Sequence, residues 1–502
     1  MASINKILLV QVYAGGGIGS EFLYRKPSDY RAQLLKTYPQ MTKWAKEEIF
    51  NNITEWPDDV AIDGFIDDLN VSGRFLAKNI ETPSKVIDEP VNPEILISEL
   101  EKDSYTHVGF SIISNDYSNF INCAQSVKNF DSSIITIAGG PGAMFEQTKT
   151  YVDYVCKGER GVPFLRKLFN EKIDNPYKLT IMPNRYCLKY LNFEVATTIY
   201  RLVTKIGCPL NCDFCVAPSL YGGEYTGEFF TPQYLHDQFI KFRDEVGENK
   251  LSFYFEEPTS VFSLGWWYEF INLFKEDYGD FAFYVYSITS ILDKLDLDKI
   301  SNSAARIHLV NFGIESFNKN YVKNTNVNMK SLVRRMSDYG IFTNPNYIIG
   351  YDFDTKESVM EDIKKLIDLD ATMNTVLHLH AHPMTGIWEE LKSQNRLLDV
   401  PIEFHFIHGF QSFKHPHFKP GFEDMLPLLS KIYQYIQTET GGKVVNYAQV
   451  LKNLLNHTNH PKLFKNDIKS LTSICKLVYP KWKKFFNPSG LQDKNYLNKI
   501  QI

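Results

Sequence analysis

Three cysteines lie within eight residues of one another, Cys208, Cys212 and Cys215 in the stretch KIGCPLNCDFC, although the 502-residue chain has only seven cysteines. Thiolates at short spacing serve either a tetrahedral zinc ion or an iron-sulfur cluster. Structural zinc needs a fourth Cys or His close by, whereas the next histidine, His236, comes more than twenty residues later. The spacing therefore favours a 4Fe-4S cluster held by three thiolates, which leaves one iron open to a ligand from outside the protein.

The pattern CxxxCxxC, with the aromatic Phe214 before its last cysteine, resembles the signature of the radical S-adenosylmethionine superfamily. The resemblance implies that the open iron binds S-adenosylmethionine, and that one electron from the cluster cleaves it to a 5′-deoxyadenosyl radical. It also implies an external electron donor such as flavodoxin or ferredoxin, and a small-molecule or peptide substrate.

The elements that must position this loop are six strand-like runs separated by stretches with helical spacing. They cover residues 198–207, 251–257, 281–287, 306–315, 345–351 and 375–383. Six β/α units predict a partial TIM barrel over residues 196–392. Barrel enzymes carry their chemistry at the carboxyl ends of the strands, and the cysteine loop follows the first strand at that end.

The same resemblance implies contacts with S-adenosylmethionine at the ends of the later strands. Two acids close the second strand, NFGIES resembles the GxES motif of the fourth strand, and YIIGYDFDT resembles the fifth-strand stretch near the adenine. Besides Phe214, the residues implied are Glu256, Glu257, Ser287, Glu315, Ser316, Ile349 and Gly350.

The first 165 residues predict a separate α/β domain, followed by a linker over residues 166–195. Its strands are expected at residues 6–12, 84–89, 106–112, 133–140 and 153–158. Short strands with helices between them indicate a doubly wound, Rossmann-like parallel sheet with a ligand crevice beyond the strand carboxyl ends. The glycines after the first strand (Gly15, Gly16, Gly17 and Gly19) allow close approach of a ligand, but in isolation they favour a tight turn, because neither GxxxxGK[ST] nor GxGxxG is present.

THVGFSIIS, followed by IITIAGGPG and KGERG, resembles the cobalamin-binding domain that precedes the radical domain in one subclass of the superfamily. The resemblance implies that the corrin and its nucleotide tail lie against Ser111, Gly139, Gly140, Gly142 and Glu159. Arg160 departs from the GEGE sequence usual there, and the DxHxxG motif whose histidine ligates cobalt is missing. Two alternatives follow: cobalamin bound without that histidine, or the fold kept without the cofactor.

Seven of the twelve histidines fall between residues 378 and 417. On a strand, side chains alternate faces, so His378, His380 and His382 would line the barrel lumen, while Leu377, Leu379 and Ala381 would meet the outer helices. These three histidines are candidate catalytic residues. Substrate binding or proton transfer, a second metal site, and a polar lining without a chemical role all remain open.

Residues 393–502 predict a mostly helical region that closes the barrel, with an aromatic loop near residues 400–425. The net charge of −5 combines +8 over residues 451–502 with −13 elsewhere, and no RNA-binding motif accompanies the basic tail. The absence of an 18-residue apolar run and of a leader pattern predicts a cytoplasmic protein without a membrane span. We expect the other four cysteines to be buried thiols that only pack in the core: Cys123, Cys156, Cys187 and Cys475.

Together these features predict a cobalamin-dependent radical S-adenosylmethionine methyltransferase that acts on an unactivated centre of a biosynthetic substrate. One alternative is a radical rearrangement, cyclisation or ring contraction without methyl transfer. The other is a non-catalytic iron-sulfur sensor or scaffold.

Overall fold

The structure, a computed structural model, describes residues 5–12, 27–53, 62–65, 69–113, 116–190, 193–275, 280–300, 304–318, 321, 326–440 and 449. Within these residues, thirteen strands form two sheets. They are β1 (Ile7–Val12), β2 (Ile62–Phe65), β3 (Ser84–Ile87), β4 (His107–Ile112), β5 (Ile135–Gly139), β6 (Tyr154–Val155), β7 (Met182–Tyr190), β8 (Phe193–Leu202), β9 (Lys250–Phe255), β10 (Asp280–Ser287), β11 (Ala305–Glu315), β12 (Phe342–Ile349) and β13 (Thr375–His378).

In the described part of the chain, fourteen α-helices pack around these sheets. They are α1 (Pro27–Thr37), α2 (Glu47–Asn51), α3 (Val71–Asn79), α4 (Pro93–Leu100), α5 (Tyr117–Phe130), α6 (Gly161–Leu168), α7 (Val216–Leu220), α8 (Pro232–Val246), α9 (Leu264–Leu273), α10 (Thr289–Leu292), α11 (Met329–Asp338), α12 (Lys356–Ile367), α13 (Gly386–Ser393) and α14 (Met425–Thr440). None of the described helices is long and apolar enough to cross a bilayer.

The amino-terminal sheet is entirely parallel, with the strand order β3-β1-β4-β5-β6. Alternate residues of β1 enter two different cores. Leu8 and Val10 pack with α4 and α5, whereas Ile7 and Leu9 pack on the opposite side with α6. Helices therefore cover both faces, and the predicted parallel sheet is confirmed. Cys123 of α5 is buried within the first of these cores, as a packing thiol should be.

The second sheet contains eight strands in the order β13-β12-β11-β10-β9-β8-β7-β2. Strands β8 to β13 run parallel and form the curled half-barrel. Two antiparallel strands extend its edge: β7 pairs with β8, and β2 pairs with β7. Residues 166–195, predicted to be a linker, include β7, which covers the backbone edge that β8 would otherwise expose. β2 belongs to the same sheet although it lies within the first 165 residues.

The two faces of the half-barrel differ in chemistry because side chains alternate along each strand. Phe253, Phe283 and Phe312 belong to the apolar core that the outer helices cover. The inner face carries polar and aromatic residues, among them Tyr254 and Asn311. This face is the wall of the barrel lumen.

Beyond β13, residues 393–440, which we call the covering segment, cover one side of the half-barrel. Ile402–His405 form a 3₁₀ turn, and α14 packs on the barrel core, where the Tyr433 hydroxyl donates to the Val376 carbonyl at 2.8 Å. Glu403 reaches the amino-terminal domain and accepts a hydrogen bond from the Ser118 amide at 2.7 Å. The basic tail and Cys475 lie outside the described residues.

Candidate active site

The three cysteines lie on a closed loop that leaves the carboxyl end of β8. Hydrogen bonds between Ile206 and Thr226 tie its base: the Ile206 amide donates to Thr226 Oγ1 at 3.0 Å, and the Thr226 amide donates to the Ile206 carbonyl at 3.1 Å. Gly207 has a φ of +86°, and a Cβ there would overlap the Glu224 carbonyl oxygen. Residues 206–226, which we call the cysteine loop, therefore form a compact unit whose base tolerates no side chain at residue 207.

A second set of contacts fixes the tip of the cysteine loop against the chain that follows β13. The Ile387 amide donates to the Asp213 carbonyl at 3.0 Å, and the Ser219 hydroxyl donates to the Met384 carbonyl at 2.6 Å. Phe214 packs in a cluster with Tyr351, their ring centroids 6.5 Å apart. The aromatic residue of the motif thus anchors the loop to the last two strands of the barrel.

The thiols suit an iron-sulfur cluster in their chemistry and placement. All three cysteines are partly exposed on the one loop, and the Thr259 hydroxyl lies 3.7 Å from Cys208 Sγ. Across the described residues, no three His, Cys, Asp or Glu side chains already surround a point that a single ion could occupy.

The two acids that follow β9 have different surroundings. Glu256 is paired with Arg201 of β8, with Arg201 Nη2 2.9 Å from Glu256 Oε2. Glu257 is buried, and its Oε1 accepts hydrogen bonds from both the amide and the hydroxyl of Thr204. Its Oε2 is buried with no hydrogen-bond partner, and burial raises the pKa of this carboxyl group. Glu257 therefore has one oxygen that a cationic ligand could engage.

Glu315 ends β11 in the left-handed region, with a φ of +64°. Its carboxylate folds back over Gly313, where a Cβ would overlap it, so the glycine of the GxES-like stretch makes room for the acid. Ser316 is buried, and its hydroxyl oxygen accepts from the Asn318 amide at 3.0 Å. The acid and the serine are thus brought to the same strand end.

Three residues at the ends of β10 and β12 offer backbone rather than side chains to the lumen. The Ser287 hydroxyl donates to the Val261 carbonyl at 2.6 Å, so it is engaged away from the lumen. Ile349 is fully buried in the outer core. Gly350, with a φ of +101°, leaves space that a Cβ would take beside the His378 ring, 3.2 Å from its Cδ2 atom.

In the amino-terminal crevice, the glycines after β5 have two roles. Gly140, with a φ of +85°, and Gly142 pack on Ile112 of β4, where a Cβ at either position would collide. Gly139 has ordinary spacing around its Cβ position, and Ser111 is half-buried. Glu159 is exposed. Gly140 and Gly142 therefore serve the tight turn, whereas Gly139, Ser111 and Glu159 are open to a ligand among the described residues of the crevice. Gly15, Gly16, Gly17 and Gly19 lie outside the described residues.

The predicted faces of Leu377 and His378 are wrong, whereas Leu379 and Ala381 are buried with residues of α13 as predicted. β13 ends at His378, so His380 and His382 follow the strand rather than belong to it. Val376 lies in the outer core whereas Leu377 is 42% exposed, so alternation places His378 on the face of the outer helices. The register agrees, since His378 pairs with the buried Ile349.

The histidines instead form a cluster between the end of β13 and the covering segment. We define this His cluster as His378, His380, His382, His405 and His408; neighbouring rings among His378, His380, His382 and His408 lie 5.3 to 6.3 Å apart. Burial lowers the pKa of every member, to about 4 for His378, His382 and His405. One ring nitrogen each of His378, His380, His382 and His405 is buried without a hydrogen-bond partner.

Solved structures of known proteins have a similar architecture. No model of a known protein family matches the chain. Two solved structures of the radical S-adenosylmethionine methyltransferase TsrM from Kitasatospora setae are similar. The one with tryptophan substrate and the analogue aza-SAM bound covers 78% of this chain and 76% of its own, with a TM-score of 0.54 and 15% identity. The one with cobalamin and a [4Fe-4S] cluster bound covers 78% of both chains, with a TM-score of 0.52 and 14% identity. The chain has the fold of a radical S-adenosylmethionine enzyme.

A curated relative is the bacteriochlorophyllide d C-12(1)-methyltransferase of Chlorobaculum tepidum. It is 23% identical over an alignment of 207 residues that covers 39% of this chain. The match spans only 43% of the length of that relative.

Within this fold, the inner face of the half-barrel carries polar residues that sequence reasoning missed. The hydroxyl groups of Tyr254 and Tyr286 lie 2.6 Å apart on adjacent strands. A chain of hydrogen bonds then crosses three strands, from Asn344 Nδ2 to Asn311 Oδ1 at 2.8 Å and from the Thr375 hydroxyl to Asn344 Oδ1 at 2.9 Å. Polar residues alternating with Phe and Val in the predicted strands were the available signal.

Proposed function

We propose that this chain is a radical S-adenosylmethionine enzyme, and that it is a cobalamin-dependent methyltransferase. The observation that carries the proposal is one arrangement at the carboxyl edge of the half-barrel. The cysteine loop follows β8 there, and Glu257, Glu315 and Gly350 stand at the ends of later strands of the sheet. Residues from the ends of several different strands would then form one site, as in other barrel enzymes.

Cys208, Cys212 and Cys215 would hold the cluster, which supplies the electron that cleaves S-adenosylmethionine to methionine and a 5′-deoxyadenosyl radical. Glu257 Oε2, which is buried without a hydrogen-bond partner, would accept a hydrogen bond from the ammonium group of that ligand. Burial disfavours the carboxylate of Glu257 in the free protein, and an arriving ammonium would favour it again, so binding and charge are coupled at this residue.

The amino-terminal crevice would hold cobalamin, a carrier that supplies a methyl group. Gly139, Ser111 and Glu159 are open to a ligand among the described residues there. Two likenesses support this half of the proposal: the fold of TsrM and the partial similarity to a bacteriochlorophyllide methyltransferase. The lumen residues would bind and orient a small-molecule or peptide substrate, and an external donor such as flavodoxin or ferredoxin would deliver electrons.

Anaerobic reconstitution with iron, sulfide and cobalamin tests the proposal. We expect absorption bands of both a 4Fe-4S cluster and a corrin, and formation of 5′-deoxyadenosine after addition of dithionite and S-adenosylmethionine. Label from the S-adenosylmethionine methyl group should reach the bound cobalamin or a substrate. Absence of 5′-deoxyadenosine would exclude the radical enzyme and favour a sensor or scaffold. Radical formation without any transferred label would favour a rearrangement, cyclisation or ring contraction.

A further inference from the structure

The amino-terminal domain packs directly on the base of the cysteine loop. Phe75 of α3 and Val162 of α6 share a buried cluster with Ile206, the residue that closes the loop. Tyr221 of the cysteine loop and Phe229 just after it border the same cluster. The loop that carries the three thiols is therefore built against another domain rather than against the half-barrel alone.

The two backbones meet at a pair of glycines. Gly158 lies in the loop after β6, and Gly222 lies in the cysteine loop after α7. Both have left-handed backbones, with φ of +68° and +63°, and a Cβ at Gly222 would overlap the carbonyl oxygen of Gly158. Only glycine at residue 222 allows this approach. The next residue, Gly223, also has a positive φ of +75°, but its Cβ position has no neighbour within 4 Å.

An ion pair lies beside the glycines. Arg160 Nε is 2.7 Å from Glu224 Oε2, and the backbone carbonyl of Glu224 is the group that Gly207 accommodates next to Cys208. Arg160 is the residue that departs from the GEGE sequence of the cobalamin-binding subclass. In this chain Arg160 connects the loop after β6 to Glu224, near the base of the cysteine loop.

We propose that Gly158, Arg160, Gly222 and Glu224, which we name the loop contact, hold the cluster at a fixed distance from a ligand in the amino-terminal crevice. Arg160 and Glu224 are positioning residues in this proposal, which rests on the proposed function because it requires both groups to be bound. The loop after β6 borders the crevice, since ligands of such sheets lie beyond the strand carboxyl ends. Movement of that loop would therefore move the cysteine loop with it.

The ion pair by itself is a weak argument, because its partners are 27% and 56% exposed and such pairs contribute little to stability. The glycine approach carries more weight, because backbone overlap cannot be relieved by rotating a side chain. The buried cluster around Ile206 surrounds both contacts and limits how far the two loops can separate.

Gly222→Ala and Gly223→Ala form a matched pair of variants for the test. Both place an alanine at a positive φ, but only the first collides with the amino-terminal domain. The readout is the magnetic interaction between the reduced cluster and cob(II)alamin, which are both paramagnetic, measured by electron paramagnetic resonance. We expect Gly222→Ala to weaken or broaden the interaction and Gly223→Ala to leave it as in the unmodified protein. Iron and cobalt contents should stay equal in all three proteins.

The ion pair is tested by exchanging its charges. Arg160→Glu should weaken the magnetic interaction, and Glu224→Arg in the same chain should restore it. Hydrogen exchange of residues 206–226 gives a second readout, with severalfold faster exchange in Arg160→Glu and in Gly222→Ala than in Gly223→Ala. Loss without rescue by the exchanged pair would overturn the role of these two side chains.

The two proposals fail in different ways. If the unmodified protein binds neither a cluster nor cobalamin, the proposed function is wrong and this inference falls with it. If both groups bind and Gly222→Ala and Gly223→Ala give the same magnetic interaction and the same exchange, the proposed function stands and the loop contact does not position the cluster.

Discussion

His378 Nε2 and Gln411 Oε1 lie 3.1 Å apart and join the last barrel strand to the segment that covers it. Gln411 is fully buried, and its amide nitrogen donates to the Phe413 carbonyl at 3.3 Å, which turns its oxygen toward the histidine. The imidazole must then donate from Nε2. A neutral His378 therefore keeps its lone pair on Nδ1, the buried nitrogen without a partner.

Lowering the pH should destabilise the folded protein at this covering segment. All five members of the His cluster have a folded pKa below 6.5, as low as about 3 for His408, because burial disfavours the charged ring. The unfolded chain thus binds more protons as pH falls from about 6.5 toward 4, and each pKa unit is worth about 1.4 kcal/mol per group. We expect stability to be complete above pH 6.5 and to drop by several kcal/mol across that window.

Two buried carboxyl groups, Glu257 and Asp354, oppose this trend. Burial raises their folded pKa values, to about 6 for Asp354, so the folded protein takes up their protons first as the pH falls. They are two against five imidazoles, so the His cluster should dominate. Thermal unfolding measured at several pH values checks the prediction, and His378→Gln together with His408→Gln should flatten the curve. An unfolding temperature that rises between pH 6.5 and 4 would contradict it.

Replacing any one cysteine of the motif should prevent stable cluster assembly, because an iron would lose its protein ligand. We expect Cys212→Ala to lose most of its iron and sulfide after anaerobic reconstitution. Cys123→Ala is the matched control, since burial raises the pKa of that thiol to about 12 and removes it from metal binding. Equal iron contents in the two variants would show that the motif does not hold a cluster.

Much of the fold followed from the sequence because buried strands in parallel sheets are marked by short apolar runs. The cysteine loop and the acids at the ends of β9 and β11 could be placed in order along the chain for the same reason. The face of the sheet on which His378 lies could not be predicted, because a shift of one residue in strand register moves every side chain to the opposite face. Nor could the pairing of Arg160 with Glu224, since the two residues are distant in sequence and meet only through domain packing.

Replacing Glu257 and Glu256 one at a time should show which of the two acids binds S-adenosylmethionine. Glu257→Gln keeps an oxygen for the Thr204 hydrogen bonds but removes the charge that an ammonium would meet. We expect affinity for S-adenosylmethionine to fall roughly ten- to a hundredfold, the value of one charge-assisted hydrogen bond. Glu256→Gln should leave affinity nearly unchanged, because that acid is already paired with Arg201. Anaerobic calorimetric titration of the reconstituted protein measures both, and the reverse order of effects would refute the assignment.

Glu403 should control how firmly the covering segment is attached to the amino-terminal domain. It is 2% exposed, and one of its oxygens accepts from both the amide and the hydroxyl of Ser118 at the start of α5. Glu403→Gln keeps an acceptor but loses the charge that strengthens both bonds, so the free energy of unfolding should fall by about 1–3 kcal/mol. Hydrogen exchange across residues 402–411 should become faster at the same time.

The control is Glu423→Gln, which removes a carboxylate paired with Lys419 and Lys46 on the surface of the same segment. Such exposed pairs contribute little to stability, so this variant should unfold almost as the unmodified protein does. Denaturant titration and exchange measured on both variants compare the two directly. If Glu403→Gln costs no more than Glu423→Gln, the Ser118 contact does not hold the segment in place, and packing of its aromatic residues, such as Phe406 against Phe145, must do so alone.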